Sequence, residues 1–488
     1  MGWKLEAPWG TRGGTVISPV PRKATALMSD SQWMSAIRRY RDDSEKQWFE
    51  DRVLGGAREL AGALEARTKA QPERFARLLL TLPEDANEAY YGAIVRGLKD
   101  SALPLDLLAR VAERAHHRPG RPHGHWLPQT IASHGGAQLS PELLDMIAWY
   151  ATEDPDPTDE HWRSGAAGEE PADGGDPRFH GINSVRGTAA HAIASLIAQD
   201  VVYWGYFSQF LERMVCDPSV AVRTCVADAC IEILRYDRPL AIGLFLRLCD
   251  TEDVLLAARS IEKFIYYTAH TDLESLRPII ERMLESSQGA ARKAAARQAT
   301  FVALSHESAR ALADAALNGD AEMRQGAAEV LALNVLTAPD LSYAHSRLIE
   351  LFSDPDVTVQ RLAGDWTRRL KEVAEGGALV GVLEAYIKSP AFRLTASNFF
   401  RRMEGTADIS PALLLRAGQR FVDVVGTDAG NVAGTNAFAA EQLSELVLRA
   451  YRQAEDAPDL RRECLDLFDR LLEVGGYGAD KAIEAFSR

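Results

Sequence analysis

Six positions in the middle of this chain constrain its fold more than any other feature. Arg186, Arg223, Arg259, Arg292, Arg324 and Gln360 are separated by 37, 36, 33, 32 and 36 residues, and each opens a stretch with helical apolar spacing. Four residues after the anchor stand Ala190, Ala227, Ala296, Ala328 and Gly364, with Lys263 the exception. Asp217, Asp253 and Asp354 each precede an anchor by six residues, and Pro218 and Pro355 follow two of them. That is the chemistry of a turn feeding a new helix. A second apolar or amphipathic helix precedes each anchor, as in Phe207 to Met214 and Ile279 to Leu284. A two-helix unit of about 35 residues cannot hide its apolar face alone, whereas stacked copies bury a continuous seam. The pattern predicts an all-α chain, an α-α superhelix or solenoid of helical-hairpin repeats. The small residues four places on let neighbouring helices approach closely.

The rest of the 488 residues is organised around that array. Residues 1–28 carry glycine and proline with little periodicity and read as a flexible arm. Helical patterns begin at Ser29 and Asp30, a plausible N-cap, and continue to residue 151 as an N-terminal helical lobe. Residues 152–178 read as a flexible acidic insertion. Its stretch from Thr152 to Asp176 holds nine acidic residues, one arginine and three prolines, too little apolar surface to order itself. The repeats occupy 179–374, and a C-terminal helical cap region follows over 375–488. Strand-type alternation is hardly visible anywhere.

Composition excludes several classes. With 55 basic against 69 acidic residues the formal charge is −14, so no global basic footprint for nucleic acid exists. No apolar run reaches the roughly 20 residues of a membrane span, and the first residues lack a leader pattern. The five cysteines are few and odd in number, which suits reduced thiols in a cytoplasm. No Gly-Lys dipeptide occurs, so the phosphate-cradling loop of P-loop enzymes is absent. Nucleophile-elbow, zinc-protease and paired Cys-x-x-Cys patterns are absent too. The expectation is a chain without catalytic activity or cofactor of its own.

Two stretches, Cys216-Asp217-Pro218-Ser219-Val220-Ala221-Val222-Arg223 and Ser353 to Gln360, resemble the D-P-x-x-x-V-R turn of HEAT repeats. The resemblance implies an inter-repeat ladder through Asp217, Arg223, Asp253, Arg259, Asp354 and Arg361, the last standing beside a glutamine where the family has arginine. A further likeness runs from Met28 onward. Met28 to Tyr40, Gly56 to Leu60, Pro72 to Ala76 and Cys464 to Arg470 resemble the C-terminal helical region of large bacterial NACHT and related signal-transduction NTPases. Several of those serve in defence against phages, so the likeness implies a sensor or scaffold working with an NTPase.

Candidate contact residues are fewer. The run His116 to Trp126, HHRPGRPHGHW, is a Pro/Gly-broken loop with four histidines but no preformed metal cage. His123, Trp126 and Trp162 are candidate partner contacts there and in the acidic segment, joined by Arg292, Arg297 and Arg368 in the repeats. Tyr266-Tyr267 and Phe399-Phe400 are candidate stacking platforms, with core packing the simpler reading. The sequence therefore points to a scaffold or sensor recognising a macromolecule, a protein first. A nucleic-acid-binding or DNA-glycosylase-like HEAT protein is the alternative, disfavoured by net charge.

Overall fold

The computed structural model describes residues 15–42, 47–49, 52–158, 176–369, 379–404, 411–431 and 434–486. The chain forms two compact units, Met1–Phe264 and Ile265–Arg488. Compaction thus divides inside a helix, not at the acidic segment where composition changes.

The first unit begins with a small sheet of three strands, β1 (Thr15–Ile17), β2 (Gln47–Phe49) and β3 (Arg52–Leu54). Strand β1 lies parallel to β3, with Val16 opposite Val53, and β2 lies antiparallel on its other side. Residues 15–17 were expected within an arm, but three-residue strands are too short to show alternation. Helices α1 (Arg22–Thr25) and α2 (Asp30–Arg39) follow. Ser29 caps α2 with a reciprocal box, in which its amide donates to Gln32 Oε1 at 2.8 Å.

Five helical hairpins follow in this unit. They pair α3 (Ala57–Ala70) with α4 (Pro72–Leu79), α5 (Glu88–Leu98) with α6 (Leu105–His116), and α7 (Leu127–Ala132) with α8 (Pro141–Thr152). After the short α9 (Pro177–Ile182) come α10 (Val185–Gln199) with α11 (Val201–Val215), and α12 (Val220–Ile233) with α13 (Arg238–Leu248). The odd-numbered member of each early hairpin stacks on the next, through α3, α5, α7, α10 and α12. The partners α4, α6, α8, α11 and α13 stack likewise in a second row. Helix α14 (Arg259–Glu285) carries the chain onward and breaks at Asp272.

The second unit repeats the scheme. Its hairpins are α15 (Gly289–Ala303) with α16 (Arg310–Leu317), α17 (Ala321–Asn334) with α18 (Leu341–Leu351), and α19 (Val357–Gly364) with α20 (Val380–Lys388). Then come α21 (Pro390–Glu404) with α22 (Pro411–Val425), α23 (Thr435–Gln453) with α24 (Pro458–Glu473), and the final α25 (Ala479–Phe486). One row runs α15, α17, α19, α21, α23, and the other α18, α20, α22, α24. Each unit is therefore an α-solenoid of stacked hairpins, and the stacking includes the segments before residue 179 and after 374. No helix among the described residues is long and apolar enough to cross a membrane.

Close approach depends on the small residues of the anchor helices. Ala190, Ala227, Ala296 and Ala328 are wholly buried. A Cβ on Gly326 would collide with the backbone carbonyl of Lys293 in the neighbouring α15, and one on Gly364 with Thr395 of α21. Four cysteines are buried, two of them on the anchor helix α12, where burial pushes the Cys225 and Cys230 thiols up to about 12.

The anchors join successive repeats. Arg186 grips the Asp217 carboxylate with two bonds of 2.8 and 3.2 Å, and Arg324 grips Asp354 with bonds of 2.6 and 3.1 Å. Arg292 reaches Asp320 at 2.5 Å. Arg223 ends instead on the Leu248 and Asp250 carbonyls, each at 3.1 Å. Four of the six anchors also satisfy a carbonyl of their own turn: Asp217 for Arg223, Ser286 for Arg292, Gly319 for Arg324 and Asp354 for Gln360. Arg361 departs from the expected ladder. It is exposed, because Gln360 makes the turn contact itself through an amide that needs no charge. Arg259 is exposed at the start of α14.

Two changes test these devices. Gly326→Val should force α17 away from α15 and lower stability by about 1–3 kcal/mol, read as a reduced melting temperature. Asp354→Ala should strand the mostly buried Arg324 guanidinium and cost about 3 kcal/mol, measured by denaturant unfolding.

Candidate functional site

Helix α21 has two faces with different chemistry. Phe392, Ala396, Phe399, Phe400 and Met403 are buried. They join an aromatic cluster in which Tyr386 meets Phe352, Trp366, Phe392 and Phe399 edge-on. Phe399 and Phe400 are therefore core, unavailable for stacking bases. Arg393, Ser397 and Arg401 recur every four residues on the opposite face, one helical stripe. That stripe lines a cleft of about 1020 Å³.

The remaining walls come from neighbouring elements of the same unit. Helix α19 supplies Arg361, and its 3-10 extension, Asp365–Arg369, supplies Asp365 and Arg368. Helix α22 supplies Arg420 and Val424, and the start of α23 supplies Thr435 and Asn436. Five arginines thus face one lining carboxylate. Counting Asp428, which pairs with Arg393 at 2.7 Å, the formal balance is five minus two, or +3. The whole chain carries −14.

The partners of these arginines differ. Arg368 approaches Asp365 at 3.2 Å, and Asn398 donates to the same carboxylate at 3.0 Å. Burial nevertheless raises the Asp365 pKa, against the pull of Arg368, Asn398 and Arg361. Arg420 donates to the Lys388 carbonyl at 3.3 Å, while its Nε is shielded from solvent without an acceptor. Arg361 and Arg401 are exposed and form no ion pair or hydrogen bond among the described residues. No side chain caps α23 at Gly434, so the positive end of a 19-residue helix adds to the same field. The lining contains no histidine, cysteine or aromatic ring. What the cleft offers is complementarity to negative charge.

The other candidate contacts have different fates. Arg368 lies in the cleft, 62% exposed at its side chain. Arg292 is held by Asp320, and Arg297 by Glu329 at 3.1 Å, so these cations are spent within the stack. Trp126 is exposed in the first unit, with the Arg96 guanidinium 5.4 Å from its ring. Trp162 lies outside the described residues. Tyr266 and Tyr267 are half-exposed, so they are not the core residues the simpler reading made them. The arginines at 393, 401 and 420 were missed in the sequence, although the four-residue spacing opposite Phe392 and Phe399 was the signal available.

Two of the four histidines of the run, His116 and His123, are packing elements, while His117 is exposed and His125 partly so. His123 is only 3% exposed, which removes it as a partner contact. Its Nε2 lies 3.0 Å from Glu88 Oε2, and its ring stacks on Tyr91. Arg118, also buried, bonds the other Glu88 oxygen. His116 packs edge-on against Trp149 and Tyr150, and Arg121 lies 3.7 Å over Trp149. Burial, reinforced by Arg121 and His117, holds the His116 pKa down to about 4. Burial also lowers that of His123, outweighing the opposite pull of Glu88. No cluster of three or more metal-ligating side chains occurs among the described residues.

No protein-family model and no curated protein sequence matches the chain. Among solved structures it is similar to a chain in a homology model of the full-length AP-3 complex in an intermediate open conformation. That likeness has 10% identity and a TM-score of 0.39, covering 95% of this chain and 93% of the other. It is also similar to a chain in the structure of the Pds5–Scc1 complex, at 12% identity and a TM-score of 0.25, covering 91% and 75%.

The depressed His116 pKa sets an acid response. A His116 pKa depressed in the folded state means that the unfolded chain takes up the proton first as pH falls. Stability should be complete above the ordinary histidine value near 6.5 and decline as pH drops toward 4. Urea unfolding across that range measures the slope, and His116→Phe should flatten it.

Proposed function

We propose that this chain is a non-catalytic scaffold or sensor that recognises a partner protein through the cleft of its second unit. The observation that carries this reading is the pair Arg361 and Arg401, exposed and without an ion pair or hydrogen bond among the described residues, beside a buried aromatic core. The aromatic core packed beneath α21 backs that surface, and a preorganised surface loses little entropy on binding. The likeness of Met28 to Tyr40 and Cys464 to Arg470 to helical regions of NACHT-type NTPases makes a nucleoside triphosphatase the first partner to seek. An anti-phage signalling role in a bacterial cytoplasm goes with that likeness. Affinity purification of the full chain from its native host, followed by crosslinking, should recover one protein in near-stoichiometric amount. Recovery of none would overturn the reading.

A second reading has one observation in its favour, the five arginines of the cleft, which would also suit a nucleic-acid backbone. Micromolar, steeply salt-dependent binding to duplex DNA would support it.

A further inference from the structure

We infer that the cleft takes a short extended peptide segment bearing oxyanions, either aspartate and glutamate carboxylates or phosphoserine. This rests on the partner-protein reading and names the chemistry of the partner's contact. Charge sets the sign of the ligand. Arg361 and Arg401 present guanidinium groups unpaired among the described residues, and such groups bind carboxylate or phosphate through two parallel bonds. The uncapped start of α23 adds backbone donors on another wall, which Arg420 also lines.

Size and lining set the class. A cleft of about 1020 Å³ holds a few residues of peptide, and far less than a stretch of duplex. A nucleic acid would extend beyond it over a chain whose formal charge is −14, losing the attraction it gained inside. The lining also lacks the aromatic rings on which bases of single strands stack. It does hold what a peptide uses. Ser397 and Asn436 are polar groups suited to a backbone, and Leu394, Pro390 and Val424 are small apolar surfaces suited to side chains. Arginines at 361 on α19 and at 393 and 401 on α21 line one wall after another, so the anionic groups would be spaced along the segment.

Fluorescence anisotropy on the full chain tests this. The probes are a labelled short Asp/Glu-rich peptide, a serine-phosphorylated peptide of equal length, an uncharged peptide, a DNA duplex, and pyrophosphate as competitor. One or both anionic peptides should bind, weakening with salt, and the tighter of the two identifies the oxyanion. The double variant Arg361→Glu/Arg401→Glu should lose about tenfold or more in affinity, with an unchanged circular-dichroism melt because both side chains are exposed. The double variant Arg259→Glu/Arg22→Glu, at two exposed charges in the other unit, matches the change in net charge and should bind as the wild type does. Four results overturn the inference: anionic peptides bind no better than the uncharged one, the double variant keeps full affinity, duplex binds more tightly than either peptide, or pyrophosphate alone matches the peptides. Purification of the double variant from the host separates the two ideas. A partner still retained leaves the scaffold reading standing and removes the cleft from it.

Discussion

The two-bond grip of an arginine on the aspartate of the next turn ties successive repeats together. A hairpin of this length gains most of its stability from its neighbours, because its apolar face is covered only by stacking. Hydrophobic contact is non-directional, and helices free to slide along a greasy seam would have many registers. The Arg186–Asp217 and Arg324–Asp354 pairs select one. Their carboxylates also accept the backbone amides of Ser219 and Asp356, at 2.8 Å each, so the same group orders the turn and receives the cation. Removing either partner leaves a buried charge exposed to low dielectric, which makes the register costly to lose.

Where the ladder stops, the chemistry of the surface changes. At the sixth anchor a glutamine takes the turn contact, and the arginine beside it is exposed. The next anchor helix, α21, carries its arginines on the open side above a core of phenylalanines. Arginine thus has two roles in one molecule. Within the stack it is consumed by aspartate, glutamate and carbonyl oxygen, and in the cleft part of its charge is left over. Counting arginines along the chain cannot separate the two, since the distinction lies in what faces each guanidinium.

The repeat architecture was legible because anchor, small residue and turn recur in register between Arg186 and Gln360. The hairpins before residue 179 use the same two-row stacking but other fastenings. Arg96 pairs with Glu65 at 2.9 Å, Thr130 donates to the Val95 carbonyl at 3.0 Å, and Arg118 holds Glu88. These are one-off contacts with no period, so no internal comparison reveals them. The histidine run was legible as a loop and illegible as a core element. The rings that cover His116 come from α8, over 30 positions away in the chain. The cleft was least legible of all. Its walls span residues 360 to 436, and only the stacking of α19, α21, α22 and α23 brings them together. Arg368 was named from its local cluster, whereas the Arg401-Arg402 pair, directly after Phe399 and Phe400, was missed.

The rung geometry has a consequence for how such a chain can change length. Excising residues 293–324 would leave Arg292 in the place of Arg324, with Asp354 ahead of it at the usual distance. A whole hairpin could drop out and the splice would heal, both charges again matched. Loss of half as many residues would set an anchor against a helix face and leave aspartate and arginine each without a mate. Between Arg292 and Asp354 the chain is thereby divisible only in whole modules, in steps that the ion pairs themselves define.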